Sequence, residues 1–146
     1  FLMAGHPGVD VSPLAKVASG GELSRIGLAI FTLTSRNTSV PTLIFDEVDS
    51  GVGGATGEVV GRMMKQLGLT RQVLCVTHLP QVAACGDHHL KVEKVSDGIE
   101  TVSYLRELNP TQRVEEIARM LGGLLITQKT KVLAEEMVKA NLSQEE

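Results

Sequence analysis

The chain has 146 residues, 42% hydrophobic and 21% charged, a globular composition long enough for one compact core and too short for two. Fourteen Lys and Arg against seventeen Asp and Glu give a formal charge of -3, and aromatics are 3% with no Trp. These figures argue against stand-alone DNA binding, because there is no global basic field for a phosphate backbone and little surface on which bases could stack.

The longest stretch free of Asp, Glu, Lys and Arg runs from Gln72 to Gly86 and contains His78 and Pro80, so no bilayer-spanning helix and no membrane partner are expected. Two cysteines and no basic-apolar-small order at the N-terminus make a reducing cytoplasm the expected compartment. The chain begins at Phe1 and soon enters a turn-rich stretch, Ala4-Gly5-His6-Pro7-Gly8, which leads one to expect a fragment of a longer protein.

Residues 1 to 18 are apolar pieces broken by Pro7, Gly8 and Pro13, read as a strand end and a loop. After Ser19-Gly20-Gly21 a helix is expected from Glu22 to Ser35. Leu23, Ile26, Leu28, Ala29, Ile30, Phe31 and Leu33 ring most of its circumference, so it should be buried on several sides. Pro41 introduces Thr42-Leu43-Ile44-Phe45, an apolar run without alternation, as in a parallel strand covered on both faces. A second helix is expected from Thr56 to Leu67, with Val59, Val60, Met63, Met64 and Leu67 as its stripe. A second strand, Gln72 to Thr77, follows and is closed by His78. Strand, helix and strand at this spacing predict a crossover unit whose polar ends, Asp46-Glu47 and His78, lie at the carboxyl edge of one parallel sheet, where ligands of open α/β sheets bind.

Further on, a short helix near Pro80 to Cys85 precedes two strands, His89 to Val95 and Ile99 to Leu105, turned by Ser96-Asp97-Gly98. Asn109-Pro110-Thr111-Gln112 is a helix start with a cap, Pro at the first position and Gln reaching back. Val114, Ile117, Ala118 and Leu121 give its stripe until Gly122-Gly123 stops it. A last amphipathic helix is expected from Thr127 to Asn141. The fold class is therefore α/β, with parallel strands, flanking helices and a small hairpin.

Three segments carry candidate chemistry. Asp46 and Glu47 directly follow a buried apolar strand, where carboxylates need partners. Asp46 could hold Mg²⁺ through water and Glu47 could orient or deprotonate a water that attacks a γ-phosphate; both could equally cap the next turn. Ser19-Gly20-Gly21-Glu22 places a hydroxyl and two glycines at a helix N-terminus, a place for an anion or an ordinary cap. His78 could reach a phosphate oxygen or the attacking water, or simply bond to backbone. Cys75-x-x-His78 and Cys85-x-x-His88 have zinc-like spacing, but residues three apart on a strand point to opposite faces. Gly51-Val52-Gly53-Gly54 is a poor dinucleotide fingerprint, since Thr56 stands at the third glycine's position. Met63-Met64 is core filling. No Gly-Lys dipeptide occurs, so the chain has no phosphate loop, and half of any NTPase site would lie elsewhere.

In order, Ala18-Ser19-Gly20-Gly21-Glu22-Leu23-Ser24-Arg25, Thr42-Leu43-Ile44-Phe45-Asp46-Glu47 and Val76-Thr77-His78 resemble the signature, Walker B and switch histidine of ABC-type ATPases. The surrounding words narrow the resemblance. Pro13-Leu14-Ala15-Lys16-Val17, Asp46-Glu47-Val48-Asp49-Ser50-Gly51, Thr77-His78-Leu79-Pro80-Gln81-Val82-Ala83 and Ala118-Arg119-Met120-Leu121-Gly122-Gly123 are similar to the RecN family of bacterial DNA repair proteins, which are SMC-like ATPases.

The resemblance runs from about Gly8 to Gly123. It implies that residues 1–146 form the C-terminal lobe of a head whose N-terminal part supplies the phosphate loop. It further implies that two heads sandwich ATP as a homodimer, that DNA is engaged by the complete protein in double-strand break repair and recombination, and that the protein is cytoplasmic and nucleoid-associated. In such heads Ser19, Gly20 and Gly21 would act in trans on the γ-phosphate, Asp46 would serve Mg²⁺, Glu47 the attacking water and His78 the γ-phosphate. Glu22 stands where transporters usually have Gln, and Gly53 where the loop after Walker B usually has Asp.

Two other readings remain open at the level of sequence. One is the nucleotide-binding subunit of an ABC transporter, although Val48-Asp49 replaces the Pro-Thr or Pro-Ser common there. The other is a non-catalytic docking lobe, which the absent phosphate loop permits.

Overall fold

The computed structural model describes residues 2–4, 8–34, 40–98, 100–123 and 125–142. Phe1, most of the turn-rich stretch (Gly5, His6 and Pro7), the expected helix end at Ser35 and the expected strand start at Ile99 lie outside these residues. Where length alone suggests one core, the chain divides into two compact units, Phe1–Thr77 and His78–Glu146.

In the first unit β1 (Leu2–Met3) pairs antiparallel with β2 (Ser12–Pro13). A short helix, α1 (Leu14–Val17), follows directly; the apolar pieces had suggested only a loop there. Helix α2 spans Gly20–Thr34 and starts on a reciprocal cap: Ser19 N–H donates to Glu22 Oε2 at 2.7 Å and Glu22 N–H donates to Ser19 Oγ at 3.3 Å. The S-x-x-E spacing is what allows both bonds.

Burial on several sides is not what α2 shows. Gly21 and Leu28 are its buried residues, while Leu23, Ile30 and Leu33 are exposed. Ile26, Ala29 and Phe31 are half-buried, as are Ser24 and Arg25, which share a face with Gly21 and Leu28 at i, i+3, i+4 and i+7.

Strand β3 (Thr42–Phe45) pairs in parallel with β4 (Gln72–Cys75), Thr42 opposite Gln72 and Phe45 opposite Cys75. Val76 N–H continues the ladder to Phe45 O at 3.0 Å. Between the strands, α3 (Gly54–Gly68) lies against β4 and α2 and buries Gly57, Val60, Gly61, Met64 and Leu67; Val59, expected in its stripe, is exposed. Cover on both faces of β3 is also not observed. Leu43 and Phe45 are buried, but Ile44 is 71% exposed, and Leu74 and Val76, on the same face of the pair, are exposed too. Among the described residues only one face of this sheet has its apolar cover.

The second unit starts at His78. Helix α4 (Pro80–Ala83) leads to β5 (Leu90–Ser96) and β6 (Thr101–Glu107), an antiparallel hairpin. Helix α5 (Pro110–Gly122) carries the predicted capping box: Gln112 N–H donates to Asn109 Oδ1 at 2.9 Å and Asn109 N–H to Gln112 Oε1 at 3.1 Å. Gly123, at φ 60°, ends it. Helix α6 (Gln128–Leu142) packs on α5 around Ala84, Ile117, Ala118, Ala134 and Val138. Two charges tie the unit together. The buried Arg113 guanidinium donates to the carbonyls of Ala84 (3.0 Å), Asp87 (3.2 Å) and Gly86. Buried Glu116 meets Lys91 Nζ at 2.7 Å and Arg119 Nη2 at 2.5 Å. Bonds from Arg119 and then Lys91, working against burial, hold the Glu116 carboxyl down at about 2.

Candidate functional site

The site in the first unit is built from the N-terminus of α2 and the loop leaving β3. Parallel pairing places Asp46 and Glu47 beyond the carboxyl end of β3, as the sequence predicts, but both are exposed rather than desolvated against the core. The loop then tucks inward: Val48 and Asp49 are buried, and Ser50 N–H closes a turn on Glu47 O at 3.0 Å. Glu47 has φ 56° and is the one non-glycine residue with positive φ among the described residues. A non-glycine residue in the left-handed region is uncommon, and such backbone strain clusters at functional sites.

Helix α2 holds this turn from one side. Ser24 Oγ donates to Asp46 O at 2.9 Å, and Arg25 Nη1 donates to Ser50 O at 2.7 Å and Val48 O at 3.3 Å. The approach is close enough to require glycine at position 21. A Cβ on Gly21 would lie 2.9 Å from Ser50 Cβ and 3.0 Å from the carbonyl oxygens of Glu47 and Ser50; one on Gly20 would lie 3.3 Å from Glu47 Oε2. The structure thus brings Ser19, Gly20 and Gly21 together with Asp46 and Glu47. His78 is exposed and is the first residue of the second unit.

Ser19 is a cap, as the plainer reading held. The cap uses one lone pair of Oγ as acceptor, and a serine hydroxyl still has a proton to donate. Gly20 and Gly21 contribute first-turn N–H groups that take no part in either capping bond. A cap and an anion contact are therefore chemically compatible at this helix end.

Ser24, Arg25, Asp49 and Thr77 escaped the sequence reading as site residues. Asp49, 1% exposed, accepts from Thr77 Oγ1 at 2.5 Å, which joins the loop after β3 to the segment after β4. Burial, then the charges of Asp49 and Asp46, push the nearby Cys75 thiol up to about 12. A thiol raised this far stays protonated at neutral pH. The helical spacing of Gly21 and Arg25 was the available signal for the Arg25 contact.

No protein-family model matches the chain. It is 50% identical to DNA repair protein RecN of Vibrio cholerae over 140 residues, 96% of this chain and 25% of that protein. It is 52% identical to RecN of Deinococcus radiodurans over 118 residues, 81% of the chain and 21% of that protein. The chain is similar to a segment of RecN. Against RecN of Bacillus subtilis the identity is 42% over 139 residues, 95% of the chain and 24% of the relative. This RecN-like chain spans about a quarter of the length of these curated relatives.

Solved structures agree on the fold. An Smc head domain with coiled coil and joint from Pyrococcus yayanosii matches with TM-score 0.59 and 25% identity, over 75% of this chain and 20% of that one. A structure from work on ATP-driven dimerization and DNA-stimulated activation of SMC ATPases matches with TM-score 0.56 and 23% identity, over 81% of this chain and 70% of that one. The RecN-like segment therefore has the α/β fold of an ABC-type head lobe of the SMC kind, and the transporter reading is not favoured.

Proposed function

We propose that residues 1–146 are the C-terminal lobe of a RecN-like ATPase head, and that the complete protein binds and hydrolyses ATP in the repair of DNA double-strand breaks. The observation that carries this reading is the packing of Gly20 and Gly21 onto the left-handed turn of Glu47, because it gathers a helix N-terminus and two carboxylates at one sheet edge. Glu47 acts as the base that orients and deprotonates the attacking water. Ser19 Oγ–H and the N–H groups of Gly20 and Gly21 meet the γ-phosphate of a nucleotide held by a second head. His78 Nε2 or Nδ1 hydrogen-bonds the γ-phosphate.

An exposed carboxylate at the strand end is a hard oxygen donor suited to Mg²⁺, directly or through water. Asp46 would hold that ion, which when bound neutralises charge on the β- and γ-phosphates. The partners in this reading are the N-terminal part of the same head, which brings the phosphate loop, a second copy paired through ATP, and DNA engaged by the complete, nucleoid-associated cytoplasmic protein. The exposed face of Ile44, Leu74 and Val76 supports a further lobe packing on this sheet, since apolar surface at a sheet face is normally covered.

The test is Glu47→Gln in the complete protein. ATP binding should persist while turnover falls about 10²- to 10⁴-fold, the usual worth of a general base. Unchanged turnover would leave Glu47 with a structural role only.

A further inference from the structure

We infer that Arg25 is a positioning residue for Glu47: its guanidinium fastens the turn that holds the base to the helix that carries Ser19, Gly20 and Gly21. The inference rests on the reading of Glu47 as the base. A glutamate at φ 56° persists only where its surroundings over-determine it. The turn's own bond, Ser50 N–H to Glu47 O at 3.0 Å, fixes one point. Three more bonds come from two consecutive residues of α2. Ser24 holds the carbonyl before Glu47, at Asp46, and Arg25 holds two of the three that follow it, at Val48 and Ser50.

Both Arg25 bonds go to main-chain carbonyls, made by one nitrogen of a charged, planar group that cannot lose its proton. Charge-assisted bonds to carbonyls fix backbone direction, and backbone direction aims the Glu47 side chain. Gly21 removes the side chain that would hold helix and turn apart. Because α2 runs unbroken from Gly20 to Thr34, a phosphate contact at its first turn is felt at Arg25 one turn later, and through Arg25 at the base. Binding by the helix end and water activation by the same chain are thereby coupled.

The experiment is a kinetic double-mutant cycle in the complete protein, with Arg25→Ala, Arg25→Lys, Glu47→Gln and the two double variants, reading kcat and KM for Mg-ATP. Arg25→Ala is expected to lower kcat about 10- to 100-fold, with KM within about twofold of wild type, and Arg25→Lys to recover part of the loss. In the Glu47→Gln background the same changes should cost no further rate, because a base already removed cannot be misaimed. A purely structural Arg25 would give the same fold-loss in both backgrounds. That result, or an unchanged kcat in folded Arg25→Ala, overturns the inference and leaves the Glu47 reading standing. Should Arg25→Ala not fold, Arg25→Lys, which keeps the charge, is carried through the same cycle with the same criteria. Full activity of Glu47→Gln would instead overturn the underlying reading.

Discussion

Two glycines of one helix should respond in opposite ways to the same substitution. In α2, a Cβ on Gly27 meets nothing within 4 Å, whereas one on Gly21 meets Ser50 Cβ at 2.9 Å and two carbonyl oxygens at 3.0 Å. Ordinary contact begins near 3.4 Å, so alanine at position 21 overlaps its neighbours by about 0.4–0.5 Å. Two of the three are backbone atoms that cannot rotate away. Gly27→Ala should stabilise by about 0.5–1 kcal/mol through helix propensity. Gly21→Ala has at most that gain and loses about 1–3 kcal/mol to overpacking. The two variants should therefore differ by about 1–3 kcal/mol, with Gly27→Ala above wild type and Gly21→Ala at or below it. Urea titration of the chain followed by circular dichroism measures both midpoints. Equal shifts in the same direction would refute the close approach of α2 to the Glu47 turn.

Other expectations follow from the same contacts. Asn109→Ala removes half of the α5 capping box and should cost about 0.5–2 kcal/mol in urea titration. Glu116 has its carboxyl held at about 2, below its ordinary 4.5. A lowered folded-state value gives stability that is full above 4.5 and is lost as pH falls toward 2. Glu116→Gln should accordingly be less stable than wild type at pH 6 and converge with it near pH 2, checked by unfolding at both values. Cys75, with its thiol at about 12, should resist iodoacetamide at pH 8. In Asp49→Asn it should react somewhat faster but still slowly, because burial leads the shift and the Asp49 charge comes second; mass spectrometry of the alkylated peptide reads both.

What could be read from residues alone divides along physical lines. Local rules worked where local bonds decide. The cap at Asn109, the stop at Gly123 and the parallel strand Thr42–Phe45 all stand where the sequence placed them. Burial was misjudged where it depends on more than the local run. Leu43-Ile44-Phe45 reads as doubly covered, yet Ile44 is exposed in a chain that spans a quarter of its relatives' length. The face of α2 that meets the Glu47 turn was hidden because it is made of Gly21, Ser24 and Arg25 rather than apolar residues. Of the seven apolar positions expected to ring the helix, Leu28 is buried and Ile26, Ala29 and Phe31 are half-buried, while Leu23, Ile30 and Leu33 are exposed. Desolvation was likewise expected at the wrong carboxylate: Asp46 and Glu47 are exposed, and the buried one is Asp49, bonded to Thr77.

In the proposed function the Ser19-Gly20-Gly21 helix end meets a γ-phosphate across a pair of heads. Sedimentation velocity of the complete protein with Mg-ATP tests it most directly, in a Glu47→Gln background so that hydrolysis does not obscure pairing. Ser19→Ala removes the cap bond to Glu22 N–H, about 0.5–2 kcal/mol of stability in either case. If Ser19 also donates to phosphate, a charge-assisted bond of about 1.5–3 kcal/mol is lost from the pairing equilibrium, weakening it about 10- to 150-fold. Ser19→Arg should abolish pairing through bulk. Normal ATP-dependent pairing by a folded Ser19→Arg protein would contradict the account and leave Ser19 as a helix cap alone.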